Sequence, residues 1–286
     1  MTRILAITNQ KGGVGKTTTG VNLAASLAAA RRRTLLVDLD PQGNATMGSG
    51  VEKRNLAATV YQVLLGEKRI ADVRVRSEQG EYDLIPANRD LAGAEVELVE
   101  IERRETRLKD ALEEIVSEYD FILIDCPPAL NLLTVNGLAA AQAVIIPMQC
   151  EYYALEGLSD LVQTIKQVRG HLNPALEIEG LLRTMYDPRN TLAQQVSAQL
   201  VEHFGDKLYR TVIPRNIRLA EAPSHGIPAM KLEQKSKGAL AYLALAGEMM
   251  RRMEARGLPT HAAAFDAAAP DGAPPTDAPT AHPPSL

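Results

Sequence analysis

Nine residues near the start of the chain, Gln10-Lys11-Gly12-Gly13-Val14-Gly15-Lys16-Thr17-Thr18, combine glycines, amines and hydroxyls at a spacing suited to holding phosphate. Backbone N–H groups of a glycine-rich turn that opens into a helix cradle phosphate oxygens. In that setting Lys16 reaches the β- and γ-phosphates, and the Thr17 hydroxyl coordinates Mg²⁺. One position departs from the common G-x-x-x-x-G-K-[ST] pattern, because Gln10 stands where the first glycine belongs. Lys11 is an added lysine inside the loop, and spacing alone reads it as solvated.

Carboxylates supply the other half of such chemistry. Asp38 and Asp40 flank the end of the apolar run Thr34-Leu35-Leu36-Val37, and Asp125 closes the apolar run Phe121-Ile122-Leu123-Ile124. An Asp ending a buried strand beside a phosphate loop can hold Mg²⁺ through water, although a lone one is more often a turn former or cap. Asp38 and Asp40 point different ways in an extended chain, so the pair need not act on one atom. Asp38 reads equally as a support for the Mg²⁺ shell and as a hydrogen-bonded loop residue. Arg215 and Arg218 lie three apart in Ile213-Pro214-Arg215-Asn216-Ile217-Arg218, which on an early helical turn gives them one shared face.

These groups need elements to position them. The run Ile4-Leu5-Ala6-Ile7 predicts a strand, and Val21 to Ala28 predicts a helix after the loop. Further strands are expected at 34–38, 73–75, 82–86, 119–125, 143–147, 178–185 and 208–213. Helices are expected at 59–65, over most of 90–116, and at 135–141, 155–170, 192–204 and 237–256. Strands alternating with helices of this length predict an α/β fold, a doubly wound and mostly parallel sheet with helices on both faces. Sites in such sheets gather at the carboxyl ends of the strands, where the motif residues fall.

The loop Lys11-Gly12-Gly13-Val14-Gly15-Lys16-Thr17 resembles the deviant Walker A loop of the ParA/MinD superfamily. The run Asn9 to Asn22, with Leu36-Val37-Asp38-Leu39-Asp40-Pro41-Gln42-Gly43-Asn44, resembles the chromosomal ParA (Soj) branch, and Asp125-Cys126-Pro127-Pro128 matches its D-x-P-P motif. The resemblance spans roughly residues 2–256. It implies a partner-stimulated ATPase that uses ATP and Mg²⁺ and dimerises on ATP. It gives Lys11 a reach across the dimer to the partner's nucleotide and makes Asp40 the switch carboxylate that orients the attacking water. Residues 11–18 would hold the nucleotide, with Pro214 and Met185 near the adenine. Arg189 and Arg218, with Arg215 less firmly, would make sequence-independent phosphate contacts with double-stranded DNA. A ParB-type centromere-binding protein would stimulate hydrolysis. The early phosphate loop leaves no N-terminal helix-turn-helix, so operator-specific autorepression is not expected.

Composition bounds the alternatives. The 286 residues, 45% hydrophobic and 23% charged, allow one large α/β domain or two modest ones. No apolar run approaches the ~18 residues needed to span a bilayer, and no room precedes the first strand for a signal peptide. A soluble cytoplasmic protein is expected, and the resemblance implies that it is nucleoid-associated with no membrane partner. Cys126 and Cys150 form no Cys-x-x-Cys pair and read as small buried hydrophobes, which argues against an iron–sulfur carrier. His225 reads as structural. The net charge of −4 conceals an asymmetry: residues 183–256 carry 12 Lys and Arg against 7 Asp and Glu. That balance fits an anionic partner and, as readily, solvated helix faces. The expected division is an ATPase domain over 1–256 and an Ala/Pro-rich acidic tail over 257–286, which cannot offset its ordering entropy. A membrane-bound positioning ATPase of the MinD kind is the alternative, but that tail lacks a basic amphipathic anchor. A small-molecule kinase or ligase would use Lys16 and Thr17 alike without calling for the arginines.

Overall fold

A computed structural model describes residues 2–152 and 154–257. The expected tail beyond Gly257 lies outside the described residues. Seven strands form one sheet: β1 (Arg3–Ile7), β2 (Thr34–Asp38), β3 (Val75–Ser77), β4 (Tyr82–Ile85), β5 (Phe121–Asp125), β6 (Ala143–Gln149) and β7 (Glu177–Thr184). Their order is β3-β4-β2-β5-β1-β6-β7, and only β3 runs antiparallel to its neighbour.

Helices cover both faces, so the central strands are buried on every side. They are α1 (Lys16–Ala29), α2 (Asn44–Gly48), α3 (Val60–Leu65), α4 (Ile70–Val73), α5 (Leu91–Glu97), α6 (Arg107–Leu112), α7 (Leu132–Ala140), α8 (Ala154–His171), α9 (Thr191–Phe204), α10 (Ile217–Glu221), α11 (Ala229–Leu232) and α12 (Lys237–Ala255). Alternate strand residues feed two separate cores. Ile4, Ala6, Leu35, Val37, Ile122 and Ile124 pack toward α3, α5, α7 and α8. Leu5, Ile7, Leu36, Phe121 and Leu123 pack toward α1 and α12, against Leu23, Leu27, Tyr242 and Leu245. Burying apolar area on both faces is what holds seven short strands in register.

Three expectations about elements are corrected. The predicted strand at 73–75 is the end of α4, and β3 begins only at Val75. The predicted helix over 90–116 is interrupted between Ile101 and Thr106, where Arg103 takes a positive φ of 57°. The predicted strand over 208–213 makes only isolated bridges, Leu181 to Leu208 and Tyr186 to Pro214. Its Arg210 and Thr211 amides donate instead to the Glu248 carboxylate, both at 2.8 Å, so no further strand extends the sheet there.

Candidate functional site

β1 ends at Ile7 in the middle of the sheet, and the chain turns from there through residues 8–15 into α1. Gly13 (φ 74°) and Gly15 (φ 89°) make this turn possible, since a side chain at either position is strained in the left-handed region. A Cβ at Gly12 or Gly13 would meet no atom within 4 Å, so the inside of the loop stays open to a ligand. Gly15 caps α1 without a side-chain hydrogen bond, which leaves the first-turn amides facing the loop. This is an anion cradle, with the positive end of a 14-residue helix behind it.

The cradle is fixed from the neighbouring strands. The Thr184 hydroxyl donates to the Val14 carbonyl at 2.7 Å, Asn9 Nδ2 donates to the Pro147 carbonyl at 2.8 Å, and Gln149 Nε2 donates to the Gly13 carbonyl at 3.4 Å. Lys16 is buried and donates to the Lys11 carbonyl at 3.1 Å. Burial lowers its pKa, while nearby Asp125, Cys126 and Asp40 favour its charge. Thr17 and Thr18 follow on the first helical turn, half-buried at the same mouth.

The carboxylates converge here. Asp38 and Asp125 are register partners at the ends of adjacent strands β2 and β5, and both are fully buried. Neither Asp125 oxygen has a hydrogen bond of full geometry among the described residues. Burial, reinforced by the neighbouring Asp38 charge, pushes its pKa far above the usual carboxylate range, and the Thr17 hydroxyl only partly offsets this. Asp38 accepts from the Thr46 amide (2.8 Å), the Thr46 hydroxyl (2.7 Å) and the Asp40 amide (3.1 Å). Burial nevertheless raises its pKa to about 6. A buried carboxylate with orphaned oxygens, a second carboxylate beside it and a threonine hydroxyl form a hard-oxygen set that fits Mg²⁺. Asp40 stands half-buried at the rim, accepting from the Gln42 amide at 2.9 Å.

Beside Gly15 and Thr18 lies a small, mainly apolar slot of about 140 Å³, whose walls include Met185, Ile213, Pro214 and Tyr242. Met185 holds a positive φ of 49° there, and its Sδ accepts from Gln149 Nε2 at 2.7 Å. An apolar slot touching the phosphate cradle suits a flat heterocycle.

Lys11 is exposed, and its Nζ pairs with Glu151 Oε2 at 2.5 Å. Arg189 pairs with Asp187 through Nε (3.0 Å) and Nη2 (2.8 Å), which holds Asp187 down to about 2. Arg218 is clasped by Glu221 (2.8 Å) and Glu233 (2.5 Å). Arg215 is exposed. The expected shared helical turn of Arg215 and Arg218 is corrected: Asn216 caps α10 by accepting from the Arg218 amide at 3.1 Å, so Arg215 lies before the helix. Gln149, Thr184 and Glu151 support the loop from 130 or more residues away, and only an Asn-type cap such as Asn216 carries a local signal.

Fold and site together define a phosphate-loop nucleotide-binding protein of the α/β class. The family model for the AAA domain matches residues 2–178. The chain is 53% identical over 252 residues to the chromosome partitioning protein ParA of Caulobacter vibrioides (strain NA1000 / CB15N), covering 87% of this chain and 94% of that one. It is 55% identical over 249 residues to the sporulation initiation inhibitor protein Soj of Bacillus subtilis (strain 168), covering 87% and 98%. Among solved structures, cobyrinic acid a,c-diamide synthase from Mycobacterium smegmatis with bound ATP analog and magnesium superposes with a TM-score of 0.79 at 40% identity, covering 90% and 97%. The chain belongs to the ParA/MinD superfamily of deviant Walker A proteins, with its likeness on the ParA/Soj side.

Proposed function

We propose that this chain is an ATP-dependent partitioning ATPase acting on chromosomal or plasmid DNA. The observation that carries the reading is the phosphate cradle, with buried Lys16 inside it, exposed Lys11 at its tip and the Asp38–Asp125 pair at its floor. Relatives named for chromosome partitioning and a solved structure holding an ATP analog with magnesium support it. The ATPase unit covers residues 1–256, with an acidic tail appended.

In this reading residues 11–18 bind the triphosphate of ATP, and the slot at Met185 and Pro214 takes the adenine. Thr17 and Asp125, with Asp38 behind them, would hold Mg²⁺, which would neutralise charge on the phosphates when bound. Asp40 orients the attacking water, and Lys16 stabilises charge that develops on the phosphates. Lys11 leaves Glu151 on ATP-driven dimerisation and reaches the partner's nucleotide. The dimer then presents Arg189, Arg215 and Arg218 to the phosphates of duplex DNA without reading sequence. A ParB-type partner stimulates the slow hydrolysis that ends the cycle, in the cytoplasm and on the nucleoid.

The MinD-like alternative requires a basic amphipathic membrane anchor, and residues 257–286 contain no Lys or Arg to supply one. Likeness to cobyrinic acid a,c-diamide synthase raises a ligase reading, which would use the same cradle. ATP hydrolysis with and without duplex DNA, run beside product analysis with candidate acid substrates, separates the readings. DNA-stimulated release of phosphate supports partitioning, whereas phosphate release that requires a carboxylic acid substrate would overturn it.

A further inference from the structure

Far from the phosphate loop in sequence, an open groove of about 760 Å³ runs along the β7 edge of the sheet between α9 and α12. Five guanidiniums line it, Arg183, Arg210, Arg251, Arg252 and Arg256, against the carboxylates of Asp206 and Glu248. None of the residues of the phosphate loop borders it.

Two of these arginines are pinned in place. Arg252 lies 4.3 Å over the Tyr209 ring, donates to the Leu208 carbonyl at 2.7 Å and pairs with Glu248 at 2.7 Å. Arg183 donates to the Ser197 hydroxyl (2.8 Å) and the Tyr209 carbonyl (2.9 Å), and its Nε is buried with no hydrogen-bond partner. Among the described residues no carboxylate pairs with Arg183, and none pairs with Arg210 or Arg251. Arg256 pairs with Glu179, which also serves Arg3. Glu248 is already committed to two backbone amides and Arg252, so of the two carboxylates lining the groove only Asp206 is left beside three guanidiniums.

Arg183 is half-buried, whereas Arg210 and Arg251 are exposed, and a guanidinium without a counter-ion gains from an oxyanion that accepts its planar fork. Tyr209 is fully buried beneath Arg252, so the groove offers no aromatic face to a nucleobase, and its exposed apolar lining is Val201 and Ala255. The chemistry is that of phosphate, not of a nucleoside. We infer that this arginine groove is a second anion site, one that binds an oligophosphate through Arg183, Arg210 and Arg251. A condensed inorganic phosphate and the backbone of a nucleic acid carry the same oxyanions. The inference does not depend on the proposed partitioning role, and its first test contains neither ATP nor DNA.

The test is a calorimetric titration of the full chain with sodium tripolyphosphate, with Mg·ADP filling the phosphate loop and, in parallel, in Lys16→Ala. One site per protomer beyond the loop is expected, with affinity that falls as salt rises. Arg210→Ser/Arg251→Ser should weaken that site about tenfold or more, as expected for losing charge-assisted contacts, while Arg218→Ala leaves it unchanged. Unaltered Mg·ADP affinity in the double variant shows that its fold is intact. Adding a short DNA duplex, with a non-hydrolysable ATP analog and Mg²⁺ in place of Mg·ADP, then distinguishes the sources. Displacement of tripolyphosphate assigns the site to a nucleic-acid backbone, and retention assigns it to a free oligophosphate. Absence of binding beyond the loop, or equal affinity in the double variant, would overturn the inference.

Discussion

Asp125 and Asp38 place two buried carboxylates where the folded chain disfavours their charge, and this has consequences that single substitutions expose. Asp125→Asn removes an ionisable group whose charged form burial penalises. Without nucleotide or metal at pH 7.5, the variant should be more stable than wild type by about 1–3 kcal/mol, read as a rise in Tm, while its Mg²⁺-dependent turnover is lost. Asp38 gives a pH dependence with a definite sign. Its folded pKa, about 6, lies above its ordinary value of 3.8, so the folded chain holds this proton more tightly than the unfolded one. The contribution is therefore complete below about pH 4 and lost as pH rises through 6. Denaturant titrations in chelator from pH 4 to 7 should show that loss, on the order of 3 kcal/mol, and Asp38→Asn should flatten it. For turnover, Asp40→Ala should keep ATP-dependent DNA binding but lower phosphate release by about 10²–10⁴-fold in a single-turnover assay.

Elements explain why some of this was legible in the sequence and some was not. The phosphate loop was readable because a strand, positive-φ glycines and a helix start are all local features, confined to residues 3–29. The doubly wound sheet followed from apolar runs of strand length separated by helices. The 208–213 segment reads as a strand by its apolar residues, but its Arg210 and Thr211 amides are taken by Glu248, 38 and 37 residues further on. No pattern inside the segment announces that. The Arg215–Arg218 pairing failed for a local reason that was present in the sequence: Asn216 is a strong cap and starts α10 after Arg215. The clasp on Arg218 was hidden, because Glu233 arrives from beyond α11. Exposed pairs of this kind are weak, so a phosphate can replace them. Glu233→Gln should accordingly strengthen ATP-dependent DNA binding by a few-fold at low salt, an effect that fades as salt is raised.

Across the whole molecule, the proposed function has ATP in the cradle switch on a sequence-independent hold on DNA. Lys11 and the arginines all stand paired with carboxylates in one subunit, apart from exposed Arg215, and closing two subunits over ATP would redirect Lys11. Arg218→Ala should still dimerise on ATP, by light scattering, yet lose DNA affinity, with the slope of log K against log salt shallower by about one for each arginine removed. The most direct measurement is binding of the full chain to a non-specific duplex with ATP, with ADP and without nucleotide, across a salt series. Salt-sensitive binding that appears only with ATP and is absent in Lys16→Ala is expected. Binding that is equal in all three nucleotide states, or absent in all of them, would contradict it.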